Sequence, residues 1–182
     1  MIPVGYLAMH VIHCPESLDG ASVAGVYSVS GCLSKDFADY VNYWKHNGYW
    51  FFDSPKIIQD LATANGIDLT GTTLFFYELY ELQFDDAVNT WTPISSDPSF
   101  PTQIVLPNCK TLEGFDVVTY SCGTTAECSP LSCNALATEL ESNQHCLMES
   151  FERAKQLVEG GKFRNSEPGP FRVISVYSTI WP

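Results

Sequence analysis

The spacing of apolar residues predicts two short helices in the first third of the chain. The first begins after Ser34, a residue type that caps helix N-termini well, and ends near Gly48. Its large side chains recur at i, i+3, i+4 and i+7, which defines one helical face: Phe37, Tyr40, Val41 and Trp44. The second helix begins at Ser54, which precedes a proline at the first helical position, and ends at residues 65–66.

Apolar runs rich in β-branched and aromatic residues predict the strands. We expect strands over residues 3–14, 22–30, 72–84, 102–106, 114–121 and 171–180, with 90–94 as the hairpin partner of 72–84. The run at 72–84 carries large apolar side chains toward both faces, so we expect this strand at the centre of a sheet. Helical spacing over 136–158, broken near 142–143, predicts a short helix followed by a longer one.

Strands that outnumber helices and cluster in hairpin-like runs are typical of an α+β fold. We expect a mostly antiparallel or mixed sheet of about six strands, with two to four helices packed against it. A chain of 182 residues is an ordinary length for one domain and is long enough to bury a sizeable core. The sequence therefore predicts a single globular domain over residues 1–182.

The net charge of −12 comes from a shortage of lysine and arginine rather than from runs of carboxylates. The chain has 9 basic and 21 acidic residues, and its charged fraction of 16% lies below the about 25% of an average domain. Nucleic acids and anionic membranes are bound through clustered cations, so we expect neither as a partner. No apolar run approaches the ~20 residues that span a bilayer. A basic protein partner would complement the acidic N-terminal part.

The seven cysteines indicate a reducing compartment. An odd number of cysteines cannot all pair within one chain. The first residues lack the basic start of a secretory signal. We therefore expect a cytoplasmic protein with reduced thiols, in which a cysteine behaves as a small apolar residue.

Residues 121–134 have no regular periodicity and hold three cysteines, which makes this stretch the first candidate site. The candidate residues of this region are Cys122, Cys128, Cys133, His145 and Cys146. Such ligands could close a zinc site, although the first three are separated by five and four residues rather than arranged in tight pairs. A redox function needs a thiolate of low pKa, and a helix beginning at Asn134 would lower the pKa of Cys133. Buried structural cysteines are the alternative to both.

His10, His13 and Cys14 form a second candidate. On a strand over residues 3–14, His10 and Cys14 share one face while His13 points to the other, so the three do not converge without a bulge. A nucleophilic Cys–His pair could still be assembled from distant parts of the chain. Chance alone makes such a pair expected among seven cysteines and four histidines.

Two further groups could bind a ligand or a partner. A cationic group near the C-terminus could bind a carboxylate or phosphate, although cations also complement a helix dipole: Arg153, Arg164 and Arg172. An aromatic group within residues 40–52 could anchor a partner surface, with core packing as the alternative: Tyr43, Trp44, Tyr49 and Trp50.

The chain carries none of the common catalytic or nucleotide-binding motifs. The patterns G-x-x-x-x-G-K-[ST], G-x-G-x-x-G, G-x-S-x-G and H-E-x-x-H do not occur. We therefore expect no cofactor and interpret the protein as a non-enzymatic binding or interaction module with a protein partner or self-association. The alternative is a thiol- or metal-dependent enzyme or redox sensor built on residues 121–146. The sequence decides neither enzymatic activity nor a small-molecule ligand.

Overall fold

A computed structural model describes residues 1–13, 15–45, 47–96, 98, 100–119 and 128–182. The strands of these residues are β1 (Ile2–Met9), β2 (Ile12–His13), β3 (Gly25–Val26), β4 (Thr73–Asp85), β5 (Thr90–Pro93), β6 (Lys110–Thr119) and β7 (Phe171–Thr179). Their α-helices are α1 (Lys35–Tyr40), α2 (Pro55–Asn65), α3 (Pro130–Cys133) and α4 (Phe151–Glu159). Two single 3₁₀ turns lie at residues 16–18 and 136–138.

The main sheet has five antiparallel strands in the order β1-β4-β7-β6, and β5 pairs with the far end of β4 as its hairpin partner. The short strands β2 and β3 form a separate antiparallel pair. The expected α+β class and antiparallel sheet are confirmed. The main sheet has one strand fewer than expected, and the extent of the domain stays a prediction.

The central position predicted for residues 72–84 is confirmed by β4, which lies between β1 and β7. Its consecutive side chains Phe75, Phe76 and Tyr77 are all fully buried, although neighbours on a strand point to opposite faces. On one face Tyr77 stacks on the ring of Phe51 with centroids 4.5 Å apart, and on the other Phe76 meets the ring of Tyr6. Both faces of this strand therefore belong to the core.

The two predicted helix starts are confirmed, but the first helix is shorter than expected. Ser34 caps α1 by accepting the Asp36 N–H, and the helix ends at Tyr40 rather than near residue 48. Beyond it, the ring of Trp44 stacks on Phe52 with centroids 5.5 Å apart, a tertiary contact that replaces further helical turns. Ser54 likewise caps α2, and the left-handed residue Gly66 ends it.

Residues 102–106 do not form the expected strand. The backbone N–H groups of Gln103 and Val105 donate to the carboxylate and the carbonyl of Asp53, at 2.8 and 2.9 Å. This segment therefore follows the entrance of α2 instead of joining a sheet. The strand expected over 22–30 is reduced to β3. The region 136–158 forms a 3₁₀ turn and α4, and the twelve residues between them, 139–150, include the expected break at 142–143.

Among the described residues, no helix is both long and apolar enough to cross a membrane. The longest, α2, has 11 residues, whereas a bilayer requires about 20. The cytoplasmic location and the absence of a nucleic-acid partner stay predictions.

His10 joins the end of β1 to the start of α1 through a charged contact, which predicts a pH dependence. Its Nδ1 lies 2.8 Å from Asp36 Oδ1 and its Nε2 lies 3.0 Å from the Thr70 carbonyl. The Asp36 hydrogen bond, followed by the Thr70 carbonyl, raises the pKa of His10. Because the folded-state pKa is raised, the contribution to stability is complete below the unfolded value of about 6.5 and is lost as pH rises through the folded value.

We expect His10→Gln to lower the free energy of unfolding by less than about 1 kcal/mol, since this side chain is 50% exposed and the pair is screened by solvent. The loss should be greatest at about pH 5.5 and should shrink toward about pH 8.5. Urea denaturation across this range measures it, with His13→Gln as the control for removing an imidazole. A loss that grows with pH would show that the Asp36 contact does not stabilise the imidazolium.

Candidate thiol and metal site

Three segments of the chain meet at the end of β6. Cys128 pairs with Thr119 of β6 and with Ser30, each through an isolated antiparallel bridge. The Ser129 N–H also donates to the Val29 carbonyl at 2.9 Å. Residue 128 is therefore held between β6 on one side and residues 29–30 on the other.

The other two cysteines of the site are placed by short local structures. Cys32 lies in the turn that follows Ser30, where the Leu33 N–H donates to the Ser30 carbonyl at 3.1 Å. Cys133 is the last residue of α3, and its N–H donates to the Ser129 carbonyl at 2.8 Å. One helical turn thus returns the chain to the neighbourhood of Cys128.

The Sγ atoms of Cys32, Cys128 and Cys133 all lie within 4.8 Å of one another. The Sγ atoms of Cys32 and Cys128 are 3.4 Å apart. Cys32 is exposed, Cys133 is half-buried and Cys128 is buried, so the group extends from the surface into the core. All five cysteines within the described residues are thiols. We call these three side chains the thiol cluster.

Hydrogen bonds within the thiol cluster separate the pKa values of its members. The Cys128 thiol and the Ser30 hydroxyl donate to Cys133 and lower its pKa to about 6, against the opposing effect of burial. The Cys32 backbone N–H contributes to the same lowering. The pKa of Cys128 is raised, because its thiol is the donor in that bond and because it is buried. The cluster therefore stabilises one thiolate, on Cys133, with a neutral thiol beside it.

The prediction of a helix beginning at Asn134 is wrong, and so is the explanation that this helix start lowers the pKa of Cys133. Pro130 occupies the first helical position of α3, and Asn134 is its C-terminal cap. Proline is common at this position because it lacks the N–H group that a helix start leaves unpaired. A C-terminal position would oppose a thiolate, so the lowered pKa comes from the donors of Cys128 and Ser30.

The buried carboxyl group of Asp116, in β6, helps to position the segments that carry the thiol cluster. It has no solvent exposure, and its oxygens accept the Val29 N–H at 2.9 Å and the Ser129 hydroxyl at 2.6 Å. Burial nevertheless raises the pKa of Asp116 to about 8. These two bonds fix a residue next to Ser30 and a residue next to Cys128, so Asp116 positions two of the three segments.

The remaining residues predicted for this region are not members of the thiol cluster as the structure describes it. The ring of His145 stacks on Tyr27 at 4.1 Å, with Nε2 3.5 Å from the carboxylate of Glu113, and it is not part of the thiol cluster. Cys146 is buried in the core, and burial raises its pKa to about 12. Cys122 and Cys14 lie outside the described residues.

Cys32 is a member of the site that sequence reasoning missed. It stands 96 residues before Cys128, and no spacing pattern joins the two. The bridge between Ser30 and Cys128 and the bonds of Ser129 and Asp116 beside it bring them together, and isolated contacts of this kind leave no periodicity in the sequence. The structure does bring Cys128 and Cys133 together, and their function as a site stays a prediction.

The other candidate groups are not brought together in the same way. Arg164 donates to Asn89 and Arg172 to Gln83, which are different elements, and Arg153 is exposed in the first turn of α4. Among the aromatic residues, Tyr43 is 39% exposed beside a cavity of about 270 Å³, whereas the half-buried side chains are Trp44, Tyr49 and Trp50. Partner binding by either group stays a prediction.

The separation of the sulfur atoms suits metal coordination better than a formed disulfide. Two thiolate ligands of a tetrahedral zinc ion lie about 3.8 Å apart, since each Zn–S bond is ~2.3 Å. A disulfide requires about 2.05 Å. The Cys32–Cys128 sulfur separation of 3.4 Å and the 4.8 Å upper limit for all three pairs lie within about 1 Å of the separation in a zinc site. Shifts of about 1 Å would therefore bring the three sulfurs onto one ion.

Comparison with protein-family models, with curated proteins and with solved structures finds no match to this chain.

Proposed function

We propose that this protein binds a soft divalent metal ion, with zinc as the best match, through Cys32, Cys128 and Cys133. The observation that carries the proposal is the convergence of the three Sγ atoms within 4.8 Å. Thiolates are the ligands that zinc and other thiophilic ions prefer over carboxylates. Metal binding also gives a role to three thiols that come from two separate parts of the chain, residues 29–32 and 128–133.

The surroundings of the thiol cluster support a metal ion over ordinary core packing. A cysteine that serves only as a small apolar residue is surrounded by apolar side chains, as in a hydrophobic core. The Cys133 sulfur instead lies 3.7 Å from the buried Ser30 hydroxyl. Two hydrogen-bonded pairs of buried polar groups belong to the same elements, Ser28 with Ser132 and Ser129 with Asp116. Polar groups of this kind hold metal ligands in place by hydrogen bonding.

Within the part of the chain that the structure describes, three side chains converge, so these three alone would leave the fourth position of a tetrahedral ion open. In zinc enzymes this position takes a water or a substrate, whereas structural sites are closed by a fourth side chain. Because Cys32 is exposed, the open position of the proposed site faces the surface side of the thiol cluster. The bound ion would join residues 29–32 to residues 128–133 and would add to the hydrogen bonds made by Asp116.

We expect the reduced protein to bind one zinc ion per chain and to lose this binding when a ligand is removed. Cys133→Ser and Cys32→Ser should each weaken the affinity by at least about 100-fold, the upper end of the effect of losing a partner that only supports a ligand. Equilibrium dialysis with elemental analysis gives the stoichiometry. Substitution by Co²⁺ gives a thiolate-to-metal absorption band that oxygen and nitrogen ligands do not produce.

Cys109→Ser is the matched control, because Cys109 is an exposed thiol outside the cluster. It should bind zinc like the wild type. Thermal unfolding of each metal-free variant checks that the fold is kept, and exposed Cys32 is the position where serine should disturb the core least. A wild-type protein without stoichiometric metal, or equal losses in Cys109→Ser and Cys133→Ser, would overturn the proposal.

A further inference from the structure

The pair Cys32 and Cys128 combines short separation with an unequal exposure that suits oxidation. Their Sγ atoms are 3.4 Å apart, about 1.4 Å more than the length of a disulfide bond. Cys32 is exposed and can meet a dissolved oxidant, whereas Cys128 is buried directly behind it. An exposed sulfur with a second thiol in reach is the arrangement of a redox-sensing cysteine and its resolving partner.

Cys133 differs from this pair in its surroundings. Its sulfur lies 3.7 Å from the Ser30 hydroxyl and it is only half-buried at the end of α3. A disulfide uses two sulfurs, so oxidation within the thiol cluster leaves one of the three behind. The 3.4 Å separation of the Cys32 and Cys128 sulfurs and the exposure of Cys32 favour a disulfide between these two, which leaves Cys133 unpaired.

We propose that oxidation empties the metal site: a hydroperoxide converts Cys32 and Cys128 into a disulfide, and the ion is released. This inference rests on the proposed metal function. With two of its three ligands in a disulfide, the ion would be held by Cys133 alone. A single thiolate does not retain a divalent ion against water and chelators, so loss of the pair amounts to loss of the site.

The chemistry is balanced by the peroxide itself. The Cys32 sulfur attacks one peroxide oxygen, the O–O bond breaks, and the other oxygen leaves as water after taking up a proton. The Cys128 sulfur then attacks the Cys32 sulfur, the S–O bond breaks, and the second oxygen also leaves as water. The two sulfurs supply two electrons, hydrogen peroxide accepts them, and the two protons consumed come from solvent when both sulfurs begin as metal-bound thiolates.

The test uses full-length zinc-loaded protein and one equivalent of hydrogen peroxide, with a chromogenic chelator reporting released zinc. We expect about one equivalent of zinc to be released, together with a Cys32–Cys128 disulfide identified by peptide mapping under non-reducing conditions. A dithiol reductant should restore zinc binding. Cys109→Ser, which keeps the thiol cluster, should release zinc like the wild type.

A second measurement separates failure of this inference from failure of the metal proposal. The Cys133→Ser variant keeps both members of the pair and should form the same disulfide without bound zinc. Zinc that stays bound after peroxide, or leaves with sulfinic acid and no disulfide, would overturn redox release while leaving the metal site intact. A disulfide in a protein that binds no zinc when reduced would overturn the metal proposal and, with it, release.

Discussion

Asp116→Asn is expected to remove most of the dependence of stability on pH between about pH 4 and pH 8. Burial raises the pKa of Asp116 to about 8 in the folded protein, whereas the ordinary value is 3.8. Over this interval the unfolded chain has released the proton that the folded chain retains. The free energy of unfolding therefore falls as pH rises, by at most about 5 kcal/mol for a shift of this size.

Asparagine fits this position because it resembles the protonated carboxyl group. Its carbonyl oxygen can accept the Val29 N–H, and its amide can donate to the Ser129 hydroxyl, which rotates to accept. We expect a cost of about 1 kcal/mol at about pH 4, from imperfect hydrogen bonds. Near pH 8 the variant should be the more stable protein by several kcal/mol, because no buried charge forms.

Urea denaturation of reduced protein in the presence of a chelator measures this difference, since a bound cation next to Asp116 would change its ionisation. Asp19→Asn, the same chemical change at an exposed carboxylate, is the control and should leave the pH profile unchanged. Parallel profiles for wild type and Asp116→Asn would mean that the Val29, Ser129 and Val117 donors outweigh burial and keep the carboxylate charged inside the fold.

Elements whose signals are local were predictable from the sequence. Helix α2 was found because Ser54, Pro55 and Gly66 each have a conformational reason to be where they are. Strand β4 was found because it carries large apolar residues toward both faces, as a strand buried on both faces does, and its central place in the sheet followed from that. In these segments the local preference and the tertiary environment agree.

Elements decided by contacts with distant residues were not predictable. The apolar spacing through Trp44 is helical, yet α1 stops at Tyr40 because that indole packs on Phe52. Residues 102–106 are β-rich, yet their backbone donors are taken by Asp53 rather than by a strand. In both cases a single tertiary contact overrides a weak local preference.

The thiol cluster shows the same limit at the level of a site. The prediction placed Cys128 and Cys133 in one site because they are close in sequence, but the proposed set needed Cys32, whose position depends on two isolated bridges and on Asp116. Asp116 also gave no signal of its own, since an acidic residue in a strand is ordinarily exposed. Burying this carboxyl group costs free energy, and the buried group holds both cysteine-bearing segments beside β6.

Gly5→Ala is expected to destabilise the protein by about 2–5 kcal/mol, the combined cost of backbone strain and overpacking. Gly5 lies at the irregularity in the pairing of β1 with β4, at a φ of +124°. An added Cβ would collide with the Phe52 carbonyl oxygen and approach the Phe51 Cβ to 3.0 Å. That carbonyl accepts the Tyr6 N–H at 2.8 Å, so relieving the collision breaks the bridge that fixes residues 51–52 against β1.

Gly20→Ala is the matched control, because it also has a positive φ, +94°, but no atom lies within 4 Å of its added Cβ. It should cost only the strain of about 1–3 kcal/mol. Chemical denaturation of both variants separates the two contributions, since their difference isolates the collision with Phe52. Equal losses would mean that residues 51–52 move away freely, and then the buried rings of Phe51 and Phe52 could not depend on their bridge to β1 for their position in the core.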